Sequence, residues 1–386
     1  MKRNILKKAL MCIGYMIPAV FASSCIEEFN ADLGGADTNI LVVEGNILSD
    51  TICEFHLSKS AGINEDAYPA ILGVTNAQIR IVGSDGATYK GIHAGEGLYQ
   101  IQTGQLAHDV KYSLEIEWDG ATFTSDPTTP LDAPEIAKVR VDQPDPDGNI
   151  NLLVSNNTPG SSEPQYFRWT FTDYWEVHSK FRPIYEYDPK TRRIVDLITD
   201  RSVGWNHSSS RQIIIANSKK FQNNQIKDFR IAEFTNSDLR FQTLYCIDVK
   251  QFAMTRAQYE YELARQELSD QMGGMFAPQP SELFSNIKSS DKQHRAIGYI
   301  GVCSKPSTYR LWVSRGEVRY TDLLFRNIEI TDDEDVLAMS NQEKYEAGFR
   351  VANSMPAFMV PWDWVSANGV DVSFFGCSYE KPSFWP

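Results

Sequence analysis

KYSLEIEWDGATFT, residues 111–124, decides the fold class of this sequence. Apolar and polar residues alternate from residue 111 to residue 118, so one face of a strand is buried and the other meets water. Asp119-Gly120 follows, and this dipeptide is typical of a two-residue β-hairpin turn. Residues 121–124 then return as a second strand. The stretch predicts an antiparallel hairpin whose buried face carries Tyr112, Leu114, Ile116 and Trp118.

Short strand patterns also surround this hairpin. Candidate strands lie at residues 40–47, 78–82 and 97–101, and about six or seven strands fit between residues 40 and 133. This density of short strands predicts a β-sandwich over residues 40–133. The end of this unit and the start of the next are rich in proline, and Pro127, Pro130 and Pro134 predict a linker there.

Residues 134–386 predict a second, larger unit, a β-rich α+β domain. An aromatic strand pattern covers residues 166–172, and one helix is inserted at about 255–272. Thr255 and Gln258 have the spacing of a helix-capping box, and Gly273-Gly274 predicts the end of the helix. Residues 185–201 are charged and contain proline, which predicts a long exposed loop. The fold class is therefore mainly β with some helix.

Composition and charge exclude several classes of protein. The 386 residues are 42% hydrophobic and 23% charged, which is typical of a globular chain rather than a disordered or fibrous one. There are 37 basic and 50 acidic residues, so the formal net charge is −13. A chain this acidic is poorly suited to phosphate-led nucleic-acid binding, and no nucleic-acid partner is expected.

The first 24 residues predict a secretory signal peptide. Four basic residues and no acid precede an apolar stretch of about 14 residues, which is short of the roughly 20 that a membrane-spanning helix needs. Ala22-Ser23-Ser24-Cys25 resembles a bacterial lipobox, so Cys25 is expected to become the lipid-bearing first residue. Loss of the four basic residues would leave a net charge of −17. The lipid would then supply the anchor to the outer membrane.

Residues 25–39 predict a flexible tether because they are polar and contain glycine. Ile26-Glu27-Glu28 places two acids just after the predicted lipid cysteine. This pattern resembles a signal for export to the cell surface, and the alternative is an ordinary acidic tether. We therefore expect an outer-membrane lipoprotein that faces the exterior of the cell.

Four cysteines remain after Cys12 and Cys25 are set aside. They lie far apart with no C-x-x-C spacing, so neither a zinc ribbon nor a redox motif is predicted. Export permits disulfides, and four cysteines allow three pairings that the sequence leaves open. Buried free thiols are the alternative. The four candidates are Cys53, Cys246, Cys303 and Cys377.

The sequence carries no recognisable catalytic or metal motif. The six histidines are dispersed, and G-x-S-x-G, P-loop and G-x-G-x-x-G patterns are missing. Residues 145–149, DPDGN, begin like a calcium loop, but the glycine falls too early and Asn156 occupies the place of the later glutamate. A turn between strands is the simpler interpretation. We expect no enzymatic activity, no metal and no cofactor.

Aromatic side chains are the best hint of a binding surface. Such rings suit sugars and protein partners, and two clusters occur at residues 167–175 and 362–385. The alternative is that alternate residues of the first cluster form a core face. The candidate contact residues are Trp169, Trp175, Trp362 and Trp364.

Several segments resemble one known family. They are Leu41–Gly45, Tyr245–Val249, Ala257–Tyr261, Gly274–Pro280, Asn286-Ile287, Gly298–Gly301, Cys377 and Lys381–Trp385. In order and spacing they resemble a family of Bacteroidota lipoproteins known as domain of unknown function 4249 (DUF4249). One difference is that Ser378-Tyr379-Glu380 stands where the family usually has a glycine-rich stretch.

The resemblance implies an immunoglobulin-like first domain and an outer-membrane lipoprotein often encoded near TonB-dependent receptors. We therefore expect a non-enzymatic, lipid-anchored binding or accessory component near a TonB-dependent nutrient uptake system. The alternative is a structural or adhesive envelope protein that binds another protein or a matrix. An enzyme with an unrecognised site is a third class.

Overall fold

The structure is a computed structural model that describes residues 40–59, 72–157, 163–271, 284–352 and 362–386. The predicted signal peptide, the tether, Cys25 and Gly273-Gly274 lie outside the described residues. The first nine strands are β1 (Leu41–Leu48), β2 (Ile52–Lys59), β3 (Leu72–Gly73), β4 (Gln78–Gly83), β5 (Thr88–Lys90), β6 (Ile92–Gly95), β7 (Leu98–Gln102), β8 (Tyr112–Trp118) and β9 (Ala121–Ser125).

Residues from 134 onward contribute the remaining strands and the three described α-helices. They are β10 (Ile136–Asp142), β11 (Ile150–Asn156), β12 (Tyr166–His178), β13 (Tyr185–Asp188), β14 (Arg193–Asp196), β15 (Val203–Ser209), β16 (Ile214–Asn217), β17 (Phe229–Phe234), β18 (Leu244–Met254), α1 (Arg256–Gln271), β19 (Ile287–Ser289), β20 (Ala296–Ile297), β21 (Gly301–Cys303), β22 (Ser307–Ser314), α2 (Glu334–Ala338), α3 (Asn341–Glu346), β23 (Phe349–Val351) and β24 (Trp364–Ser366). Short 3-10 helices cover Ser218–Lys220, Gln222–Asn224, Leu239–Phe241, Ala367–Gly369 and Val372–Phe375.

The chain is mainly β, as predicted, and the 111–124 hairpin is confirmed. Strands β8 and β9 pair antiparallel, with Trp118 opposite Ala121. Asp119 and Gly120 both have positive φ, at 51° and 79°, which is the backbone that this tight turn requires. Every predicted inward residue of β8 is buried, and the intervening residues are half-buried. Local alternation alone determined this element.

Two sheets enclose the core of the first unit. One has the order β20–β1–β2–β7–β6, with β3 and β21 beside it, and the other has the order β19–β9–β8–β4–β5. Residues of both sheets share one apolar cluster that includes Val43, Phe55, Tyr99 and Phe123. The two sheets therefore share one core, and the immunoglobulin-like β-sandwich stays a prediction.

Strands from later in the chain complete this first unit. Strand β19 pairs with β9, while β20 and β21 pair in parallel with β1. The sequence had assigned residues 287–303 to the second unit with the rest of 134–386. Their pairing partners lie about 160 or more residues earlier in the chain, so no local pattern predicts it. We call β1–β9 with β19–β21 the first unit and the other elements the second unit.

The second unit is built on a five-stranded sheet of order β15–β12–β18–β22, with β16 beside β12. A three-stranded sheet, β10–β11–β17, contributes residues to the same large core. Inward side chains of β12 alternate with outward ones over thirteen residues. The β-rich part of the prediction for this unit is therefore confirmed by the sheets themselves.

The inserted helix is confirmed, and its buried face includes polar side chains. Helix α1 begins after Thr255, whose hydroxyl accepts a hydrogen bond from the Gln258 N–H at 3.1 Å. Gln258, Tyr261 and Glu262 are buried, and Ala257 is exposed. The buried face carries polar as well as aromatic side chains because this helix packs against polar groups at the junction of the two units.

The structure corrects one loop prediction and confirms one turn prediction. Residues 185–201 were predicted as a long exposed loop, but β13 and β14 pair within them and Tyr187 is buried. The prediction was wrong because charged residues occupy the outer face and hide the alternation. Residues 145–149 form the turn between β10 and β11, closed by a Gly148 N–H to Asp145 O hydrogen bond of 2.9 Å.

Candidate functional site

A large cleft lies between the two units, and we call it the interunit cleft. Its volume is about 840 Å³, within the range of small-molecule binding sites. The first unit contributes residues of β1, β2 and the turn that joins them. The second unit contributes α1, the loop 209–213 and the outer face of the β12–β18–β22 sheet. Both units are therefore needed to form it.

Strand register arranges the floor of the interunit cleft in rows. Thr170 of β12 stands opposite Lys250 of β18, which stands opposite Thr308 of β22. The neighbouring row toward α1 contains Arg168 opposite Phe252. Adjacent strands lie about 4.8 Å apart, so side chains of one row are direct neighbours. The floor thus places cationic, hydroxyl and aromatic groups side by side.

Several charges around the cleft are paired within the protein. The Arg310 guanidinium donates two hydrogen bonds of 2.6 Å to the Asp248 carboxylate in the next row of the sheet. Glu262, whose side chain is 4% exposed, lies 2.9 Å from Arg168 and 3.3 Å from Arg265. Arg265 also pairs with Glu44 of the first unit. Buried charges need such partners, so this network has a structural role.

Three cations at the cleft are not paired in this way. Arg211, Lys250 and Lys305 line it and are exposed. Within the described part of the chain, none of the three forms an ion pair or a side-chain hydrogen bond. Asp248, the carboxylate two residues before Lys250 on the same strand, is already paired with Arg310. These cations are available to an incoming group.

Polar contacts hold the two units together beside the cleft. The Gln258 amide donates a hydrogen bond of 2.9 Å to Asn46 Oδ1, which also accepts one of 3.2 Å from the Gly301 N–H. A side chain at position 301 would come within 2.3 Å of Gln258 Oε1. Tyr261 of the helix and Tyr299 of the first unit lie with ring centroids 5.6 Å apart. Close packing here holds the walls of the cleft in place.

A second cavity of about 360 Å³ lies within the second unit, beside the β13–β14 hairpin. Tyr185, Tyr345 and Arg350 are among its lining residues. Arg350 donates hydrogen bonds to the backbone oxygens of Tyr345 and Phe349, at 3.0 and 2.7 Å. Its guanidinium also lies 4.0 Å from the Tyr345 ring centroid. The interunit cleft is more than twice as large and is lined by both units, so it is the better candidate site.

The structure places the four tryptophan candidates apart from the interunit cleft. Trp169 and Trp364 are 0% and 1% exposed, and Trp175 is buried beneath Arg240. These three are core residues, so the prediction of ligand contact is replaced by the core alternative. Trp362 is half-buried and packs on Tyr185 near the second cavity, with ring centroids 5.1 Å apart. Aromatic residues that alternate along a strand face the core because burial removes their large apolar surface from water.

The four candidate disulfide cysteines are buried free thiols. Of the two alternatives that the sequence left open, disulfides or buried free thiols, the structure has the free thiols. Burial raises the pKa of Cys246 to about 12 and the pKa values of Cys303 and Cys377 to about 11. Cys53 and Cys377 belong to the apolar cores of the first and second units, where each packs as a small hydrophobic side chain.

Sequence reasoning missed the cations of the cleft. Lys250 and Phe252 alternate with the buried Val249 and Gln251, so their outward face was readable from the strand pattern. What the pattern cannot show is that α1 and the first unit border that face. In the residues that the structure describes, no group of three or more potential ligands could hold a metal ion. The described helices include none with the length and apolarity to span a bilayer.

The family described as Domain of unknown function (DUF4249) matches residues 26–308. This match covers well over half of the sequence. The chain belongs to the DUF4249 family. Several residues that carried the resemblance in the sequence meet at the junction of the units in this DUF4249 chain: Glu44, Gln258, Tyr261, Tyr299 and Gly301.

No curated protein matches this DUF4249 chain. Among solved structures, it is similar to a DUF4785 family protein from Legionella pneumophila, with 9% sequence identity and a TM-score of 0.16. The match covers 55% of this chain and 52% of that chain. The chain therefore spans about half the length of that protein.

Proposed function

We propose that this DUF4249 protein is a non-enzymatic, lipid-anchored outer-membrane protein that binds a small ligand in the interunit cleft. In this role it is an accessory component of a TonB-dependent nutrient uptake system. The observation that carries the proposal is the cleft itself, a concavity of about 840 Å³ that both units line. Its three unpaired cations and half-buried aromatic and hydroxyl groups are what a polar ligand would contact.

The sequence supports the proposed location. Ala22-Ser23-Ser24-Cys25 resembles a lipobox, and Cys25 would carry the lipid. Residues 26–39 would tether the folded part to the membrane surface. A mature net charge of −17 disfavours close contact with anionic lipid, so the protein would stand away from the bilayer. Glu27 and Glu28, directly after the lipid cysteine and its neighbour, support export to the exterior face.

Affinity purification from native outer membrane tests this proposal. The bait is the full-length protein, and the control is the Cys25→Ala variant, which cannot receive the lipid. We expect the wild-type bait to recover a TonB-dependent receptor and the control to lose it. Wild-type bait that recovers no membrane partner would contradict the uptake role and favour the adhesive or structural alternative.

A further inference from the structure

We infer that the interunit cleft binds an acidic saccharide, with the anionic group of the sugar held by Arg211, Lys250 and Lys305. This inference rests on the proposed function, because it names the ligand class of the same cleft. Three observations lead to it: the charge of the second-unit wall, the hydroxyl groups between the cations, and the charge of the opposite wall.

The three positive charges on the second-unit wall favour an anionic ligand. The whole chain carries a net charge of −13, yet three cations line one wall of a concave site. Glu262 on the same wall and Asp248 in the next row of the sheet are both held by arginines, so neither neutralises these cations. Charges in a concavity act more strongly than on an open surface because less water screens them. A carboxylate or sulfate on the ligand would supply the missing partner.

Hydroxyl-bearing side chains lie in the same row as Lys250. Thr170 and Thr308 flank it across the sheet, and neither makes a side-chain hydrogen bond to any residue that the structure describes. Each hydroxyl offers one donor and two acceptor positions, which matches the hydroxyl groups of a sugar. The half-buried Phe252, next along the strand face, offers an apolar ring surface to a sugar ring.

The opposite wall excludes large polyanions. The first unit lines the cleft with Glu44, Asp50 and Glu54, and all three are exposed. A nucleic acid or a polyphosphate would bring its charges against these carboxylates. A short saccharide can instead place its acidic group at the cations and its neutral hydroxyls toward the carboxylates, which accept hydrogen bonds. The volume of about 840 Å³ suits a short saccharide rather than a long polymer.

Isothermal titration of the purified full chain in detergent tests the inference. The probes are trigalacturonate, sialyllactose, neutral galactotriose and inorganic phosphate. We expect at least one acidic saccharide to bind about tenfold or more tightly than both galactotriose and phosphate, because a charge-assisted hydrogen bond contributes at least that factor. Raising the salt concentration should weaken this binding.

The decisive variant combines Lys250→Gln with Arg211→Gln and should lower the affinity for the acidic saccharide about tenfold or more. The control is Lys292→Gln, because Lys292 is exposed and does not line the cleft, and it should bind as the wild type does. Equal binding of galactotriose or phosphate, no binding of either acidic saccharide, or unchanged binding by the double variant would overturn the inference.

Ligand titration and receptor recovery separate the two proposals. Recovery of the receptor without saccharide binding would overturn this inference alone. Saccharide binding without any membrane partner would contradict the uptake role and leave the ligand class of the cleft supported.

Discussion

The indole N–H of Trp385 donates a hydrogen bond of 2.7 Å to the carboxylate of Glu176, a residue 209 positions earlier in the chain. Trp385 is 6% exposed and packs on Trp312 with ring centroids 4.9 Å apart. Phe384 packs on Tyr174 beside it, at 4.8 Å. These residues cover one end of the outer face of the β12–β18–β22 sheet, and the interunit cleft occupies the part of that face near α1.

Replacing Trp385 with alanine should lower the free energy of unfolding by about 3 kcal/mol or more, the usual cost of emptying a large buried aromatic site. Trp385→Phe keeps much of the packing and loses the hydrogen bond, so a cost nearer 1 kcal/mol is expected for that bond. Urea unfolding measures both variants. Phe374→Ala is the control, since Phe374 is 62% exposed and should change stability by under about 0.5 kcal/mol. A Trp385→Ala variant as stable as this control would contradict the docking of residue 385.

The buried ion pair between Arg240 and Asp173 leads to a pH-dependent prediction. Asp173 is 1% exposed and lies 2.8 Å from Arg240. Burial raises the pKa of Asp173 even though Arg240 opposes that shift. Arg240→Met should destabilise the protein by about 3–5 kcal/mol at pH 7, because it leaves an uncompensated buried carboxylate.

The loss caused by Arg240→Met should be smaller at pH 5 than at pH 7. Without the arginine, the folded-state pKa of Asp173 rises further above its unfolded value, so the folded state binds the proton more tightly. The free energy of unfolding of the variant therefore increases relative to wild type as the pH falls through that raised pKa. Urea unfolding at both pH values checks this. Arg256→Met, on an exposed helix pair with Glu260, is the control, and an equal loss at the two pH values would contradict the prediction.

Gly301→Ala should loosen the junction between the units. A methyl group there would lie 2.3 Å from Gln258 Oε1, and moving the buried Gln258 would break its 2.9 Å hydrogen bond to Asn46. We expect a loss of about 1–3 kcal/mol in the free energy of unfolding. Gly104→Ala is the matched control, because its nearest side-chain atoms are 3.9 Å away. Calorimetric unfolding of the two variants should separate them, and equal transitions would show that Gln258 adapts without cost.

Thiol labelling tests the state of the four cysteines. All four are buried, and burial raises the pKa of each thiol. Iodoacetamide at pH 8 should therefore leave Cys53, Cys246, Cys303 and Cys377 unmodified in the native protein. In urea without reductant, mass spectrometry should find all four labelled. Fewer than four labelled sites in urea would instead identify a disulfide.

Local sequence patterns predicted the elements whose contacts are near in the chain. The 111–124 hairpin and the start of α1 followed from alternation, a turn dipeptide and a capping threonine. The same reasoning failed at residues 185–201, where charged outward residues concealed the β13–β14 hairpin. It also failed for Trp169, Trp175 and Trp364, which were predicted as ligand contacts and are core residues. Alternating aromatic residues on a strand have the same sequence pattern whether their face packs into a core or contacts a ligand.

The sequence by itself determined the 111–124 hairpin, the position of the inserted helix and the overall acidity of the chain. Only the tertiary structure decided which charges are neutralised and which remain free at the cleft. Arg265 reaches Glu44 across 221 positions, and Gln258 reaches Asn46 across 212. Pairing depends on distance in space, which the folded chain sets through contacts far apart in sequence. Arg211, Lys250 and Lys305 therefore share one cleft only in the folded chain, where both units line it.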